Sequence, residues 1–427
     1  MSRLTALFAL ILIVFSICAD ARDPKPMVGQ NGVYSVKSFG AKGDGKTDDT
    51  EAFQKALNQA GKTGGIVFAP VGAYMIKGHL YFPPTVTLEG VFRAPACLWD
   101  TFKEVDIKSY KGTVLLAVEG RGNEEGRPFI FLHEDSCLKG LAIYYPEQDK
   151  KNPVPYPWCI WGDGDNVSIV DVLLVNPWQA VDFGSHPCGR HYIKGLYAQP
   201  IKTGIFVDAC YDVGRIQDVH LYPFWDVELA QNYTEKNGTG FIFGKTDWQY
   251  VDNCFTIFFN VGFKFIANKA GPGNVVITNS GADGGPTAVL VEKTQGHAGI
   301  AFTNCQFMAG IEIKDTNYGP VKFTSCGFWG FPKSTTTHAK VSGHGQVTFN
   351  GCHFITWDCN NDGTPAILAE GGGLTVSSCD FMTDDKKQIV LGENVGAAVI
   401  MGNRMRGGIK VDNKSKGKVE MGLNVDQ

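Results

Sequence analysis

The stretch IAFTNCQF, residues 300–307, sets the pattern for this chain. It returns as VKFTSCGF at 321–328, as VTFNGCHF at 347–354 and as LTVSSCDF at 374–381. In each copy, alternating apolar residues lead to one small or polar residue, which is followed by cysteine and, two positions later, phenylalanine. Glycine, asparagine, aspartate and serine favour tight bends, so each copy predicts a strand, a single-residue bend and a second short strand.

Weaker copies extend this pattern in both directions, with a mean period of about 26 residues. The bend position holds Gly140, Asp171, Gly195, Asp218, Asn253, Asn279, Asn304, Ser325, Gly351, Ser378 and Asn403. The position two residues earlier is always apolar, with Leu138, Ile169, Ile193, Ile216, Val251, Ile277, Phe302, Phe323, Phe349, Val376 and Met401. Stacked repeats of this kind bury a continuous core. The sequence therefore predicts an all-β, single-stranded, right-handed parallel β-helix of about eleven coils.

The repeat also assigns a place to many of the 12 cysteines. One column just after the bend contains Cys254, Cys305, Cys326, Cys352 and Cys379. We interpret this column as a ladder of small buried hydrophobic side chains rather than as disulfides or a metal site. The pattern does not assign the pairing of Cys97, Cys137, Cys159, Cys188, Cys210 and Cys359.

The first residues are typical of an export signal. Arg3 precedes an apolar run over residues 7–17, and small residues at Ala19 and Ala21 suit signal cleavage. We expect residues 1–21 to be a signal peptide and residues 22–427 to form one secreted or periplasmic domain without a membrane anchor. The net charge of -4 gives no indication of a nucleic-acid partner.

A helix is predicted at about residues 48–60, where it would cap the first of the coils at about 64–420. Asp48 or Thr47 would cap this helix, Glu51 would close a capping box, and Gly61 would end it. The cap matters because an open stack of parallel strands has an exposed edge.

The stretch around this helix resembles the opening of the pectate-lyase superfamily. The matching segments are FGAKGDGKTDDT at 39–50, GGIVFAP at 64–70 and VTLEG at 86–90. The resemblance implies a parallel β-helix and a function among polysaccharide lyases, glycoside hydrolases such as family 28 polygalacturonases, epimerases and phage tailspikes. The polygalacturonase catalytic set is not found: no paired Asp-Asp lies in the middle coils, and Gly-His-Gly occurs only at 343–345.

The turns between residues 144 and 240 are long and rich in aromatic residues, which is typical of a functional region on a rigid scaffold. Two strands there, at 180–184 and 204–208, carry Asp182 and Asp208 on adjacent coils. The strand geometry predicts a separation of about 8 Å, within the range of about 6.5–9.5 Å used by inverting glycosidases. The two aspartates are therefore the predicted general acid and base.

Further candidates lie near this pair. Asp212, His186 and His191 are proton carriers, and Trp161, Trp178, Arg190, Tyr211, Arg215 and Trp225 are predicted to bind the sugar. Asp163-Gly164-Asp165 has the oxygen ligands of a calcium loop, but no EF-hand spacing surrounds it.

Three functions stay open at this level. The leading hypothesis is an inverting glycoside hydrolase without a cofactor, which acts on a polysaccharide or oligosaccharide. The alternative is a lyase on a uronic-acid polymer, with calcium as a possible cofactor and with Arg190, Lys194, His191, Tyr192 and Arg215 as candidate groups. The third is a non-catalytic, glycan-binding or structural β-helix. The substrate, the linkage and the oligomeric state are not specified by the sequence.

Overall fold

The computed structural model describes residues 30–91, 111–330 and 335–426. The predictions for residues 1–21 and for Cys97 lie outside these ranges. No helix within the described ranges is long and apolar enough to cross a membrane.

Each coil contains three strands, which belong to three parallel sheets that we call sheets A, B and C. From Cys137–Tyr144 onward, sheet A is joined to sheet B by a bend with one left-handed residue. Sheet B is joined to sheet C by the B–C turn, and sheet C to the next strand of sheet A by the C–A turn. Ile300–Thr303, for example, pairs in parallel with Val275–Thr278 and Val321–Thr324 from the coils on either side. The architecture is the predicted right-handed parallel β-helix.

The strands fall into the sheets as follows. Sheet A contains Val33–Ser35, Gly65–Phe68, Val86–Glu89, Arg215–Gln217, Gln249–Asp252, Val275–Thr278, Ile300–Thr303, Val321–Thr324, Gln346–Asn350 and Lys418–Gly422. Sheet B contains Asp44–Asp48, Gly72–Ile76, Thr113–Ala117, His220–Leu221, Phe255–Ile257, Gly281–Asp283, Gln306–Phe307, Gly327–Trp329, His353–Ile355, Asp380–Phe381, Arg404–Met405 and Val425–Asp426. Sheet C contains Leu80–Phe82, Ile130–His133, Trp158–Asp163, Gln179–Phe183, Thr203–Val207, Thr239–Phe243, Val261–Phe265, Thr287–Val291, Gly310–Ile313, Ala339–Val341 and Val411–Asn413.

Five long strands belong to two sheets each. Cys137–Tyr144, Ser168–Leu174 and Tyr192–Ala198 pass from sheet A to sheet B, while Ile367–Ser377 and Ile389–Met401 pass from sheet C to sheet A. A small antiparallel hairpin, Ala267–Asn268 with Gly271–Pro272, extends one C–A turn. Because sheet A runs from Val33 to Gly422, the stack continues beyond the eleven predicted coils at both ends.

The bends have the predicted backbone geometry. Asp171, Asn253 and Asn304 have φ of 52°, 53° and 54°, in the left-handed region. The prediction is wrong by one residue in the last coil, where Gly402 takes φ 66° and Asn403 is buried instead. The inward residue of that coil is accordingly Ile400, while Met401 is 41% exposed. Glycine and asparagine both suit a left-handed bend, so the sequence pattern did not separate these neighbours.

The core consists of stacked columns of like side chains. Phe302, Phe323 and Phe349 lie in one column, with ring centroids 5.0 and 5.1 Å apart and nearly parallel planes. The predicted cysteine ladder is also buried, and its five cysteines are free thiols. The thiols of Cys305 and Cys326 each donate to a backbone carbonyl, so these side chains fill the core without a disulfide bond.

The capping helix, α1, spans Thr50–Ala60 and buries Phe53 and Leu57 against the first coil. Its N-cap residue is Asp49, rather than the predicted Asp48 or Thr47, and Asp49 makes no side-chain capping bond. The Asp49 carboxylate is buried and instead accepts hydrogen bonds from the backbone N–H groups of Lys42 and Gly43. The acidic opening motif is therefore structural, as predicted.

The other helices are short. Two 3-10 turns, Gln30–Gly32 and Val36–Phe39, precede α1. Residues 227–237, which we call the helical insert, lie within one long B–C turn. The insert consists of Val227–Leu229, the π-helical turn Ala230–Thr234 and Glu235–Asn237.

Candidate functional site

An aromatic ladder lies on the outer face of sheet C. Tyr81, Phe131 and Trp161 are register partners on three successive strands, with ring centroids 6.0 and 5.0 Å apart. Together with Arg127 and Pro128 they line an open cavity of about 450 Å³, which we call the aromatic groove. Exposed ring faces fit the apolar C–H faces of sugars, and Arg127 supplies a fixed positive charge at the same place.

A cluster of titratable side chains adjoins the aromatic groove. Asp163 lies between His133 and His186, with carboxylate oxygens 4.0 Å from Nδ1 of His133 and 3.8 Å from Nδ1 of His186. The three side chains are 41%, 40% and 39% exposed, respectively, so solvent and ligands can reach them. We call them the His-Asp-His cluster.

The ladder and the cluster are in direct contact. The His186 ring lies 4.5 Å from the Trp161 ring, and the His133 ring lies 4.7 Å from the Phe131 ring. Imidazoles exchange protons near neutral pH, and a carboxylate between them can orient them. The arrangement can therefore move a proton to or from a sugar bound in the aromatic groove.

Arg190 and its two carboxylate partners form a separate network beside this cluster. The guanidinium donates to Asp165 at 2.7 Å and to Asp212 at 2.9 Å. The hydrogen bond from Arg190 holds the pKa of Asp212 below its ordinary value. Asp212 is therefore an anion at neutral pH and suits anchoring of Arg190 better than donation of a proton.

The predicted pair, Asp182 and Asp208, has the expected register but not the expected exposure. Asp182 lies opposite Phe206, as predicted, yet the two aspartates are only 1% and 6% exposed. Asp182 accepts hydrogen bonds from the Gly184 and Ser185 backbone and from the Ser185 hydroxyl. Strand alternation predicted outward side chains, but it did not include the turn residues that bind and cover them.

Asp208 is held in the same manner. Its carboxylate accepts from the backbone N–H groups of Ala209 and Lys245 and from the Asn268 side chain. Both aspartates thus stabilise C–A turns. Burial, partly offset by the hydrogen bonds of Ser185, raises the pKa of Asp182 above its ordinary value.

Three other predicted site residues lie in the core, which corrects their expected access to substrate. His191 is fully buried, with Nδ1 2.8 Å from the Cys188 carbonyl oxygen. Trp178 and Trp225 are 4% and 3% exposed, since they pack beneath the long turns. The aromatic residues of these turns therefore include side chains that pack in the core as well as side chains on the surface.

Burial of His191 connects folding stability to pH. It lowers the pKa of His191 from 6.5 to about 4, so between these values the unfolded chain takes up a proton that the folded chain does not. The contribution of the neutral imidazole is complete above pH 6.5 and is lost as the pH falls, by about 3 kcal/mol at pH 4. We expect His191→Gln to reduce the loss of stability between pH 7 and pH 4.5, measured by urea unfolding.

The control for this experiment is His186→Gln, which removes an exposed imidazole. In this variant the free energy of unfolding should depend on pH as it does in the wild type. Equal slopes for the wild type and His191→Gln would contradict the role assigned to His191.

The remaining predicted binding residues are exposed but lie away from the aromatic groove. Tyr211, in a C–A turn, is 58% exposed. Arg215 lies on the outer face of sheet A, where it lines a separate cavity of about 260 Å³ with Tyr250. Of the predicted site residues, the structure thus brings Trp161 and His186 together at the aromatic groove, and Arg190 and Asp212 together beside it.

The sequence reasoning missed Tyr81, Phe131 and His133. They precede residue 144, whereas the long aromatic-rich turns that indicated a functional region lie between residues 144 and 240. A usable signal was present, since Phe131 and His133 alternate with buried Ile130 and Leu132.

The suggested calcium loop is divided between different partners. Asp163 faces two histidines, whereas Asp165 binds Arg190. Within residues 30–91, 111–330 and 335–426, no group of three or more histidine, cysteine, aspartate or glutamate side chains is placed to hold a metal ion.

Comparison with known proteins agrees with this architecture. Residues 33–115 match the family model described as rhamnogalacturonase A/epimerase, pectate lyase-like. Alignment with gene product 12 of bacteriophage phi29, in its pre-mature form, covers 99% of this chain and 58% of that chain, with a TM-score of 0.65 and 14% identity. The A-module of the Azotobacter vinelandii mannuronan C-5 epimerase AlgE6 aligns over 92% of this chain and 99% of its own, with a TM-score of 0.53 and 14% identity.

The chain shares the right-handed parallel β-helix with these solved structures, and its first coils match the pectate-lyase-like family model. Identities of 14% relate the solved structures to this chain by fold alone. Among curated relatives, an exopolygalacturonase of Arabidopsis thaliana is 44% identical over 71 residues, which are 16% of each chain. Matches to the curated relatives span between 4% and 33% of the relatives' own lengths.

Proposed function

We propose that this protein is a secreted enzyme that cleaves an acidic polysaccharide bound in the aromatic groove. The observation that carries the proposal is the solvent-accessible Asp163 between His133 and His186, in contact with the aromatic ladder. The names of the similar proteins, an exopolygalacturonase and a mannuronan epimerase, support a uronic-acid polymer as the substrate class.

The groups at this face suit β-elimination better than hydrolysis. Elimination requires a cation at the uronate carboxylate, a base for the proton on the adjacent carbon and an acid for the leaving oxygen. Arg127 supplies the positive charge in the groove, and the two imidazoles of the His-Asp-His cluster can take and give the protons. The C–O bond at C4 then breaks, and a C4–C5 double bond forms as the C5 proton leaves.

The experiment incubates the full chain with polygalacturonate, alginate and a neutral glucan, and follows ultraviolet absorbance and product mass. We expect new absorbance and unsaturated products from a polyuronate, and none from the glucan. Products whose mass is higher by one water would indicate hydrolysis instead of elimination. If the polyuronates give no product, the enzymatic function would be rejected and a glycan-binding β-helix would remain.

Hydrolysis by Asp182 and Asp208 is the second candidate. The raised pKa of Asp182 is the observation that favours it, because the general acid of a glycosidase must retain its proton. The burial of both carboxylates weighs against it, since a substrate would have to displace their hydrogen bonds. A 100-fold loss of activity in Asp182→Asn with an unchanged melting temperature would favour this candidate.

Trp161 provides a direct test of the binding face. We expect Trp161→Ala to weaken binding of the polymer about tenfold, because a ring face that contacts sugar is lost. The measurement is isothermal titration with polyuronate. Trp329→Ala is the matched control, since Trp329 is a partly exposed tryptophan outside the groove. Equal affinities for the two variants would contradict the placement of the substrate.

Export is proposed on sequence grounds. The positively charged start, the apolar run and the small residues of positions 1–21 support it. Expression of the full chain in a secreting host should yield a protein that begins after Ala21, as determined by intact mass. Retention of Met1 in an intracellular product would contradict export.

A further inference from the structure

A second groove lies farther along the helix, on the same edge as the aromatic groove. It has a volume of about 950 Å³ and runs across the B–C turns of five consecutive coils. The helical insert borders it with Gln231, Glu235 and Lys236. We call it the insert groove. Its volume is near the upper end of the range of about 300–1,000 Å³ that is typical of ligand sites.

The floor of the insert groove is specialised. Phe258 lines it with φ 60°, a backbone conformation that an aromatic residue rarely adopts. A Cβ on Gly284 would come within 2.7 Å of the Phe258 ring, so only glycine allows the ring to lie there. Strain of this kind persists where surrounding structure imposes it, and it often marks a ligand site.

The polar groups of the groove are suited to a hydroxyl-rich ligand. Gln231, Thr335 and Thr336 line it, and no side-chain hydrogen bond engages Gln231 or Thr336 within the part of the chain that the structure describes. Asp283 lies directly before Gly284, and its Oδ1 atom is buried without a hydrogen-bond partner among the described residues. Burial raises the pKa of Glu235 and of Asp283 above their ordinary values.

The two grooves lie at different levels along the helix axis. The aromatic groove includes Arg127 and Pro128 from a B–C turn, and the insert groove is built from B–C turns of later coils. From the strand Gln179–Phe183, beside the His-Asp-His cluster, three steps across sheet C lead to Val261–Phe265. At about 4.8 Å a step, these two strands are about 14 Å apart along the helix axis, a separation that an extended polymer strand can span.

We propose that the insert groove is a remote subsite that binds a distal part of the same acidic polysaccharide strand. Lys236 attracts its carboxylates, Phe258 contacts a sugar ring, and Gln231 and Thr336 bind its hydroxyls. This inference rests on the proposed function for its substrate class. It predicts that long chains bind more tightly than short ones, because the second contact is intramolecular once the first is made.

The test uses the full chain with Asp163→Asn, so that bound polymer is not cleaved, and compares long polygalacturonate with a short oligogalacturonate by isothermal titration. Lys236→Glu, and separately Gln231→Ala with Thr336→Ala, should each weaken binding of the long chain about tenfold and leave the short chain unchanged. Asn232→Ala is the matched control, since Asn232 is exposed on the helical insert and does not line the groove.

The outcomes separate the two proposals. If both groove variants bind the long chain as the wild type does, the remote subsite is overturned, while binding sensitive to Trp161→Ala would keep the proposed function. If the groove variants lose long-chain affinity although the chain with its native Asp163 forms no product from any polyuronate, the remote subsite holds and the enzymatic assignment fails. A long chain that binds no more tightly than the short one would also overturn the subsite.

Discussion

Asp163→Asn is expected to lower turnover of the polyuronate by at least about 100-fold, the usual contribution of general acid–base catalysis. The substitution keeps the shape of the side chain but removes the charge that lies between His133 and His186. In the proposed mechanism, those imidazoles then lose the carboxylate that orients them. The measurement is the initial rate of product formation at saturating polymer, with the affinity for polymer determined separately.

The matched control is Asp171→Asn, which removes a carboxylate from the next strand of the same region. Asp171 has φ 52° at a bend, and asparagine occupies the same bend position at residues 253, 279 and 304. The control should therefore fold and turn over substrate as the wild type does. Full activity of Asp163→Asn with unchanged substrate affinity would remove the His-Asp-His cluster from the mechanism.

Phe323→Ala is expected to produce the largest loss of stability among single core substitutions in the late coils. Phe323 stacks between Phe302 and Phe349 and also contacts Phe307 and Phe328 edge-on. Truncation leaves a cavity between the stacked rings of Phe302 and Phe349, at a cost of about 3–5 kcal/mol. The measurement is the midpoint of guanidinium unfolding, followed by circular dichroism.

Lys322→Ala provides the control, because Lys322 is the adjacent residue on the same strand and is exposed. It should shift the unfolding free energy by less than about 0.5 kcal/mol. A similar midpoint for Phe323→Ala and Lys322→Ala would contradict the assignment of the phenylalanine column as the main source of stability in these coils.

The repeat was sufficient to predict the coil and its register. Alternation fixes which residues face inward, and the bend requires a residue that tolerates left-handed angles, so both leave a direct mark on the sequence. Phe302, Phe323 and Cys326 are buried as their columns predict. The error at Asn403 arose where Gly402 offered the chain an equally suitable bend.

The candidate site was less predictable for a physical reason. Whether an outward residue is exposed depends on turns, which follow no periodic rule. Asp182 faces outward on its strand, yet its turn covers it and saturates its carboxylate. The sequence pattern presents Asp163 only as a loop residue. Its contacts with His133 and His186 join three different coils, and no local pattern indicates them.

The single-residue bends have a consequence for how the length of this chain can change. An extra residue in a strand or bend would turn every following side chain of that strand to the opposite face, so the core would lose its columns. The B–C turns tolerate great differences in length, from two residues at 308–309 to the seventeen at 222–238 that contain the helical insert. Insertions and deletions should therefore be accommodated at the turns and rejected at the bends, and a library of random single-residue insertions would divide the chain accordingly into permissive and forbidden segments.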